Sequence, residues 1–270
     1  MEEPLYIGKT IREIIKEFKY EIVGVALISG SPVSMKQGYK KFLDLITFAL
    51  VLGPIGCIKI SLRLVYYRLR EFLSYLGIEN TQSIKYLSNA YNIPLFKFEK
   101  LQTSENLNTI KKLQPDIIIN QANVILKKET IDIPTIGIIN RHAGLLPKYR
   151  GLLAPFWALR NEENESGISI HFVDEKVDHG EIIVQKRVPI KRYDDFLRLL
   201  DRIFKETPSA MIQAITKLKN PDYKNELIPN SDEKATYYGR PTIMDAINFN
   251  LIMLRRYGFC ARKKQNYDVS

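Results

Sequence analysis

Cysteine is nearly absent from this chain. Its two copies, Cys57 and Cys260, lie far apart, with no CxxC partner and no neighbouring histidine pair. Neither a disulfide framework nor a zinc site follows from them, no metal site is expected, and a reducing cytoplasm is the expected compartment. Acidic residues are also in deficit: 30 Asp and Glu face 40 Lys and Arg, a formal net charge of +10. That balance favours anionic partners. No secretory signal opens the chain, because Met1-Glu2-Glu3-Pro4 is acidic and no apolar run follows it. The longest apolar window, Phe42 to Ile60, is interrupted by Asp44 and by Gly53-Pro54. It therefore reads as two helices meeting at the Gly-Pro step, packed in a core or docked on a surface, rather than as a membrane span. An interfacial amphipathic anchor is the remaining reading of that window. There is no internal repeat and no low-complexity segment.

What the chain does contain is an ordinary globular balance, 45% apolar and 26% charged over 270 residues, enough for one large domain with a small appendage. The basic excess is uneven. Residues 36–71 carry Lys36, Lys40, Lys41, Lys59, Arg63, Arg68 and Arg70 against Asp44 and Glu71, and the tail adds Arg255, Arg256, Arg262, Lys263 and Lys264. A solvated basic face is the plain reading; a phosphate-bearing substrate, RNA or peripheral contact with an anionic membrane through 36–71 are the alternatives.

Short apolar, β-branched runs alternate with helical patterns. Strands are expected over Glu21–Ile28, closed by Ser29-Gly30-Ser31-Pro32, and over Ile93–Phe96, Asp116–Ile119, Ile136–Ile139, Ile168–Val173 and Glu181–Ile190. Helical spacing marks Ile11, Ile14, Ile15 and Phe18, then Ile84, Leu87 and Tyr91, then Leu107, Ile110 and Leu113. A further helix begins at Phe196 and runs to about Leu218, with Pro208 expected to kink or restart it. Residues 219–270, with Pro221, Pro229 and Pro241, read as loop-rich and folded back on the body. The alternation implies an α/β fold with a doubly wound, mostly parallel sheet. Residues 1–190 form the main domain and 191–270 a C-terminal helix and loop-rich extension. Ligands of such sheets bind at the carboxyl ends of the strands.

Asn140 falls at one of those ends, in the run Asn140-Arg141-His142-Ala143-Gly144-Leu145-Leu146-Pro147-Lys148-Tyr149-Arg150-Gly151, and Asp178 follows in Val177-Asp178-His179-Gly180. An amide, an imidazole and a carboxylate can polarise a carbonyl, hold a developing oxyanion and move a proton from an amine. In this reading Asn140 and the imidazolium of His142 donate to the oxyanion, while Asp178 orients and charge-stabilises His142 and receives the amine's proton directly or through water. Loop hydrogen bonding without chemistry is the plain alternative. Strand alternation turns His171 to the face opposite Ile170 and Phe172, where a packing role is expected. His179 is an exposed loop residue within reach of a substrate. Arg150, beside Tyr149 and Gly151, either positions a phosphate or pairs locally.

The composite pattern Asn-x-His with Leu-Leu-Pro-x-Tyr-Arg-Gly, followed by Gly-x-x-x-His and Asp-x-Gly-x-Ile, resembles the folate-dependent formyltransferases that act on glycinamide ribonucleotide, methionyl-tRNA and sugar nucleotides. The likeness runs over about residues 20–190 and is sharpest from Gln114 to Ile190. It implies a Rossmann-like formyltransferase fold, Asn140, His142 and Asp178 as the catalytic trio, and 10-formyltetrahydrofolate as formyl donor. It further implies a pterin slot lined by Val124, Ile125 and Leu126 and closed by the loop holding Asp174, Glu175 and Val177, with Tyr149, Arg150 and His179 towards the acceptor. Two departures stand out. Many members of the family have Ser where this chain has Gly144. The family's first strand has no counterpart before the helix that begins near Ile7, so a central gap in the sheet is expected.

The implied acceptor is a small amine. The basic insertion at 36–71 and the lack of regular strand spacing after Leu218 point to a phosphorylated or nucleotide-linked amino sugar rather than tRNA. Methionyl-tRNA formylation, formyltetrahydrofolate hydrolysis with water as nucleophile, and an inactive basic binding module on the same scaffold are the rival readings.

Overall fold

The computed structural model describes residues 6–28, 39–75, 83–122 and 124–265, and side chains for all of these except 39–41, 71, 74–75 and 257–265. The turn at Ser29–Pro32, Lys36, and the residues before Tyr6 lie outside the described residues.

The elements follow the expected alternation. They are α1 (Ile7–Phe18), β1 (Val25–Ile28), α2 (Tyr39–Tyr75), α3 (Ile84–Ala90), β2 (Leu95–Phe98), α4 (Ser104–Lys112), β3 (Ile117–Asn120), α5 (Lys128–Ile131) and β4 (Gly137–His142), then β5 (Arg150–Gly151), α6 (Ala154–Arg160), β6 (Glu165–Phe172), β7 (Ile182–Pro189), α7 (Phe196–Leu218), β8 (Tyr237–Tyr238) and α8 (Ile243–Gln265). Among the described residues the strands form three sheets: β1-β2, β3-β4-β6-β7 and β5-β8. β1 with β2, β3 with β4 and β5 with β8 are parallel, whereas β6 runs antiparallel to both β4 and β7. β1 and β3 are not hydrogen-bonded to each other, so the doubly wound layer is divided where a central gap was expected.

Strand alternation splits β4 between two environments. Ile139 is fully buried in the large core, with Ile168 and Ile170 of β6, Ile183 and Val184 of β7, Phe156 and Leu159 of α6, and the inner faces of α7 and α8. Ile138 points the other way, into a smaller cluster with Phe98, Leu101 and Leu126, which Ile28, Phe96 and Ile118 flank. That second cluster joins the β1-β2 sheet to the parallel β3-β4 side of the four-stranded sheet. Asn140 and His142 share the face of Ile138.

Three expectations are corrected. β4 does not end before Asn140 but continues through His142, because the antiparallel ladder to β6 pairs Asn140 with His171 and His142 with Ser169. α7 runs unbroken across Pro208. A proline within a helix costs about 3 kcal/mol, which is offset here by a buried stripe from Phe196 through Leu199, Ile203, Thr207 and Met211 to Leu218. The C-terminal stretch is not mainly loop: α8 spans Ile243–Gln265. Its Ala246, Phe249 and Met253 are buried while Met244, Ile247, Leu251 and Leu254 are exposed, so apolar residues on both sides hide the one-face periodicity that marks a helix in sequence.

Candidate active site

The site grows from one polar face of the sheet. Residues directly opposite in an antiparallel pair project to the same side, so Asn140 and His142 of β4 stand beside His171 and Ser169 of β6, and Ser169 in turn beside Gln185 of β7. Ser169 Oγ donates to Gly144 O at 2.7 Å, and Gln185 Nε2 donates to Ser169 Oγ at 3.0 Å and to Leu146 O at 2.9 Å. These bonds pin the loop after β4 to the sheet.

The 173–181 connection brings Asp178 over this face. Its Oδ2 lies 3.2 Å from His142 Nδ1 and accepts the Gly151 N–H at 2.8 Å, and its Oδ1 lies 3.5 Å from His171 Nε2. The last contact is too long for a hydrogen bond but close enough for attraction. Asp178 is nearly buried, and burial alone would raise its pKa. His142, then His171 and the Gly151 amide, more than reverse that effect and hold the carboxyl far below the usual carboxylate range. Gly151, at φ +100, leaves no room for a side chain, since a Cβ there would stand 2.3 Å from Tyr238 O. The Arg150-Gly151 step can thus approach β8 and still present its amide to Asp178.

His142 is itself buried, and its Nε2 is 2.8 Å from Tyr149 O. A carbonyl only accepts, so Nε2 carries a proton and the ring bridges Asp178 and Tyr149. Gly144 is what permits this placement: a Cβ there would lie 2.7 Å from both His142 Nε2 and Ala154 Cβ. A serine at 144 would press its Cβ against this imidazole. The Asn140 amide, by contrast, makes no hydrogen bond among the described residues.

The expected acceptor residues are placed otherwise. Arg150 is fully buried, and its guanidinium donates to Asp232, to Tyr237 Oη at 2.6 Å, and to Asn230 O and Oδ1, both at 2.9 Å. Local pairing, not ligand presentation, occupies it. Tyr149 donates its hydroxyl to Glu163 at 2.8 Å and stacks on Tyr238; burial and Glu163 raise its pKa, so it stays neutral. What Tyr149 contributes to the site is its backbone carbonyl. His179 sits between Asp174 and Asp232. On the expected pterin side, Leu126 packs with Ile138, two residues from Asn140 on the same face, while Ile125 and Val177 are exposed. Asp174 Oδ1 caps the turn by accepting the Lys176 N–H at 2.9 Å, with Glu175 exposed between them; Val124 donates its amide to Ala122 O.

Asn230 was not singled out in the sequence. Its Nδ2 donates to Asp178 O and Gly180 O, both at 2.9 Å, while its own carbonyl oxygens take the Arg150 donors. It is the strut that fixes the Asp178 turn, where φ is +50. Lying far along the chain in a segment without periodicity, it carried no local signal.

A model of the formyl transferase family matches residues 75–215. The methionyl-tRNA formyltransferase of Kosmotoga olearia is 35% identical over 165 residues, which are 61% of this chain and 52% of that protein. That of Lysinibacillus sphaericus is 45% identical over 112 residues, 41% of this chain and 36% of the relative. The chain spans about half the length of the curated relatives it matches. A sugar N-formyltransferase from Shewanella sp. superposes with a TM-score of 0.48 at 21% identity, over 65% of this chain and 72% of that one.

Proposed function

This chain belongs to the formyl transferase family, and from that premise we propose that it transfers a formyl group from 10-formyltetrahydrofolate to a primary amine. The observation that carries the reading is the convergence of Asn140, His142 and Asp178 on one polar face, with the Asn140 amide unengaged among the described residues and a buried, ionised carboxylate beside the imidazole. In the reaction the amine nitrogen forms a bond to the formyl carbon, the bond from that carbon to N10 of the folate breaks, and the amine gives up a proton. The oxyanion of the tetrahedral intermediate takes the Asn140 N–H. His142 carries its Nε2 proton on Tyr149 O, and reaches the oxyanion only by exchanging that carbonyl for it. A carboxylate as acidic as Asp178 is a poor proton acceptor, so its role is to hold and orient His142, and the amine's proton leaves through water or N10.

The +10 charge suits an anionic acceptor, and as the first reading we take a small phosphorylated or nucleotide-linked amino sugar. Methionyl-tRNA is the second reading, favoured by the named activity of the K. olearia and L. sphaericus relatives. Release of tetrahydrofolate from 10-formyltetrahydrofolate should be followed with a panel of amino-sugar nucleotides and with charged methionyl-tRNA. His142→Ala and Asn140→Ala should each lower kcat about 10²–10³-fold. Equal turnover by the parent and His142→Ala would overturn the assignment. Turnover without any amine acceptor would instead show hydrolysis.

A further inference from the structure

α2 meets the protein along one stripe and shows a different one to solvent. After the break at Gly53, whose φ is 64 and ψ 172, the inward positions are Gly56, Ile60, Arg63 and Tyr67, at helical spacing. Gly56 approaches Leu197 of α7. Arg63 makes a two-pronged pair with Asp201 of α7 at 2.8 and 2.7 Å, and Tyr6 Oη donates to the same carboxylate at 2.6 Å. On the opposite side Ile58, Leu62, Val65, Leu69 and Phe72 are 60, 64, 65, 52 and 59% exposed. They recur at i, i+4, i+7, i+11 and i+14, an unbroken apolar stripe turned away from the core. α8 packs on the first half of α2, with Asn250 Nδ2 donating to Leu50 O at 3.0 Å, and exposes Met244, Ile247, Leu251 and Leu254 in the same fashion.

Cations border the stripe. Lys59 and Arg68 are exposed, Arg70 is half-buried, and from Phe42 to Arg70 the one acidic residue, Asp44, is paired with Arg240. Arg255 stands exposed near the last described side chains of α8. A water-facing helix has no use for five large aliphatic and aromatic side chains in a row.

We propose that α2, with α8 beside it, docks this protein on the surface of an anionic lipid bilayer. The segment 54–75 is about 33 Å long at 1.5 Å per residue. It lies in the headgroup layer with the Ile58–Phe72 stripe inserted and the cations at the phosphates. By length and composition Phe42–Arg70 would suffice to cross a membrane. Crossing, however, would surround the Arg63–Asp201–Tyr6 cluster with hydrocarbon or pull it from α7. Docking in the plane keeps it intact. A second copy of this chain would present the same net positive charge to these cations, and an RNA would satisfy the cations but not the apolar row. A bilayer bearing anionic lipids answers both.

Flotation of the full chain with vesicles tests this. The protein should float with mixed phosphatidylcholine and phosphatidylglycerol vesicles, about tenfold less with phosphatidylcholine alone, and progressively less as salt rises. The double substitution Leu62→Glu and Leu69→Glu should abolish flotation while circular dichroism and thermal unfolding remain those of the parent. A folded parent that stays in the soluble fraction with both vesicles overturns the proposal, as does equal flotation of parent and double variant. So does a parent dimer in light scattering that the double variant lacks without any vesicle binding, which would assign the face to a second copy. Tight binding of a single-stranded RNA with no vesicle binding would assign it to nucleic acid.

Discussion

Gly144 shows how a single missing Cβ sets the catalytic geometry. The His142 ring is pinned between Asp178 and Tyr149 O, and any Cβ at 144 would press on Nε2 and on Ala154 together at 2.7 Å. Neither can yield cheaply, because Ala154 is buried at the start of α6. Gly144→Ala is therefore expected to swing the ring off the carbonyl. The consequence should be about a hundredfold loss of kcat, since misplacements near 1 Å are that costly, with little change in secondary structure. A variant with parental turnover would show that His142 need not stand where the structure puts it. At this scale the sequence was informative about residue types and silent about partners: Asn140, His142 and Asp178 were legible, whereas the occupation of both imidazole nitrogens and the closeness of His171 to Asp178 required the ladder between β4 and β6.

Among the elements, the turn that carries Asp178 depends on a strut outside it. Asn230 reaches Asp178 O and Gly180 O and is nearly buried, so its removal leaves two carbonyls and part of the Arg150 fork without a partner. Asn230→Ala should cost about 1–3 kcal/mol, measurable by urea unfolding. Its kcat should fall while vesicle flotation is unaffected, since α2 is not touched. A loss of stability without loss of turnover would show that the turn holds its position unaided. The same scale explains which elements were readable. β3, β4, β6 and β7 contain short apolar, β-branched runs and α7 a helical apolar stripe. α8 shows no such stripe, because it is apolar on its core side and on its exposed side.

Across the whole molecule, Asp178 couples the fold to pH. Its folded-state pKa lies below that of an aspartate in an unfolded chain, so the ionised group stabilises the protein at pH values above about 4, and that contribution is lost as pH falls through the folded-state value. Asp178→Asn should accordingly be less stable than the parent near neutrality, by about 3 kcal/mol for a buried pair deprived of one partner. The gap should narrow as the solution is acidified. A stability difference that stays constant across an acid series would mean that the charge on Asp178 plays no part.

Local sequence by itself determined strands β1, β2, β3, β4, β6 and β7 and helices α1, α3, α4 and α7, the break at Gly53 and the residues with chemistry, Asn140, His142 and Asp178, because periodicity, backbone preference and donor type are properties of short segments. Tertiary structure alone decided that Arg150 is consumed inside the protein, that Asn230 holds the catalytic turn, that β6 runs against both of its neighbours, and that α2 turns a whole apolar stripe outward. Each of these rests on a contact between segments distant in the chain, or on which side of a helix finds a core to pack against, and neither quantity is written in any local run of residues.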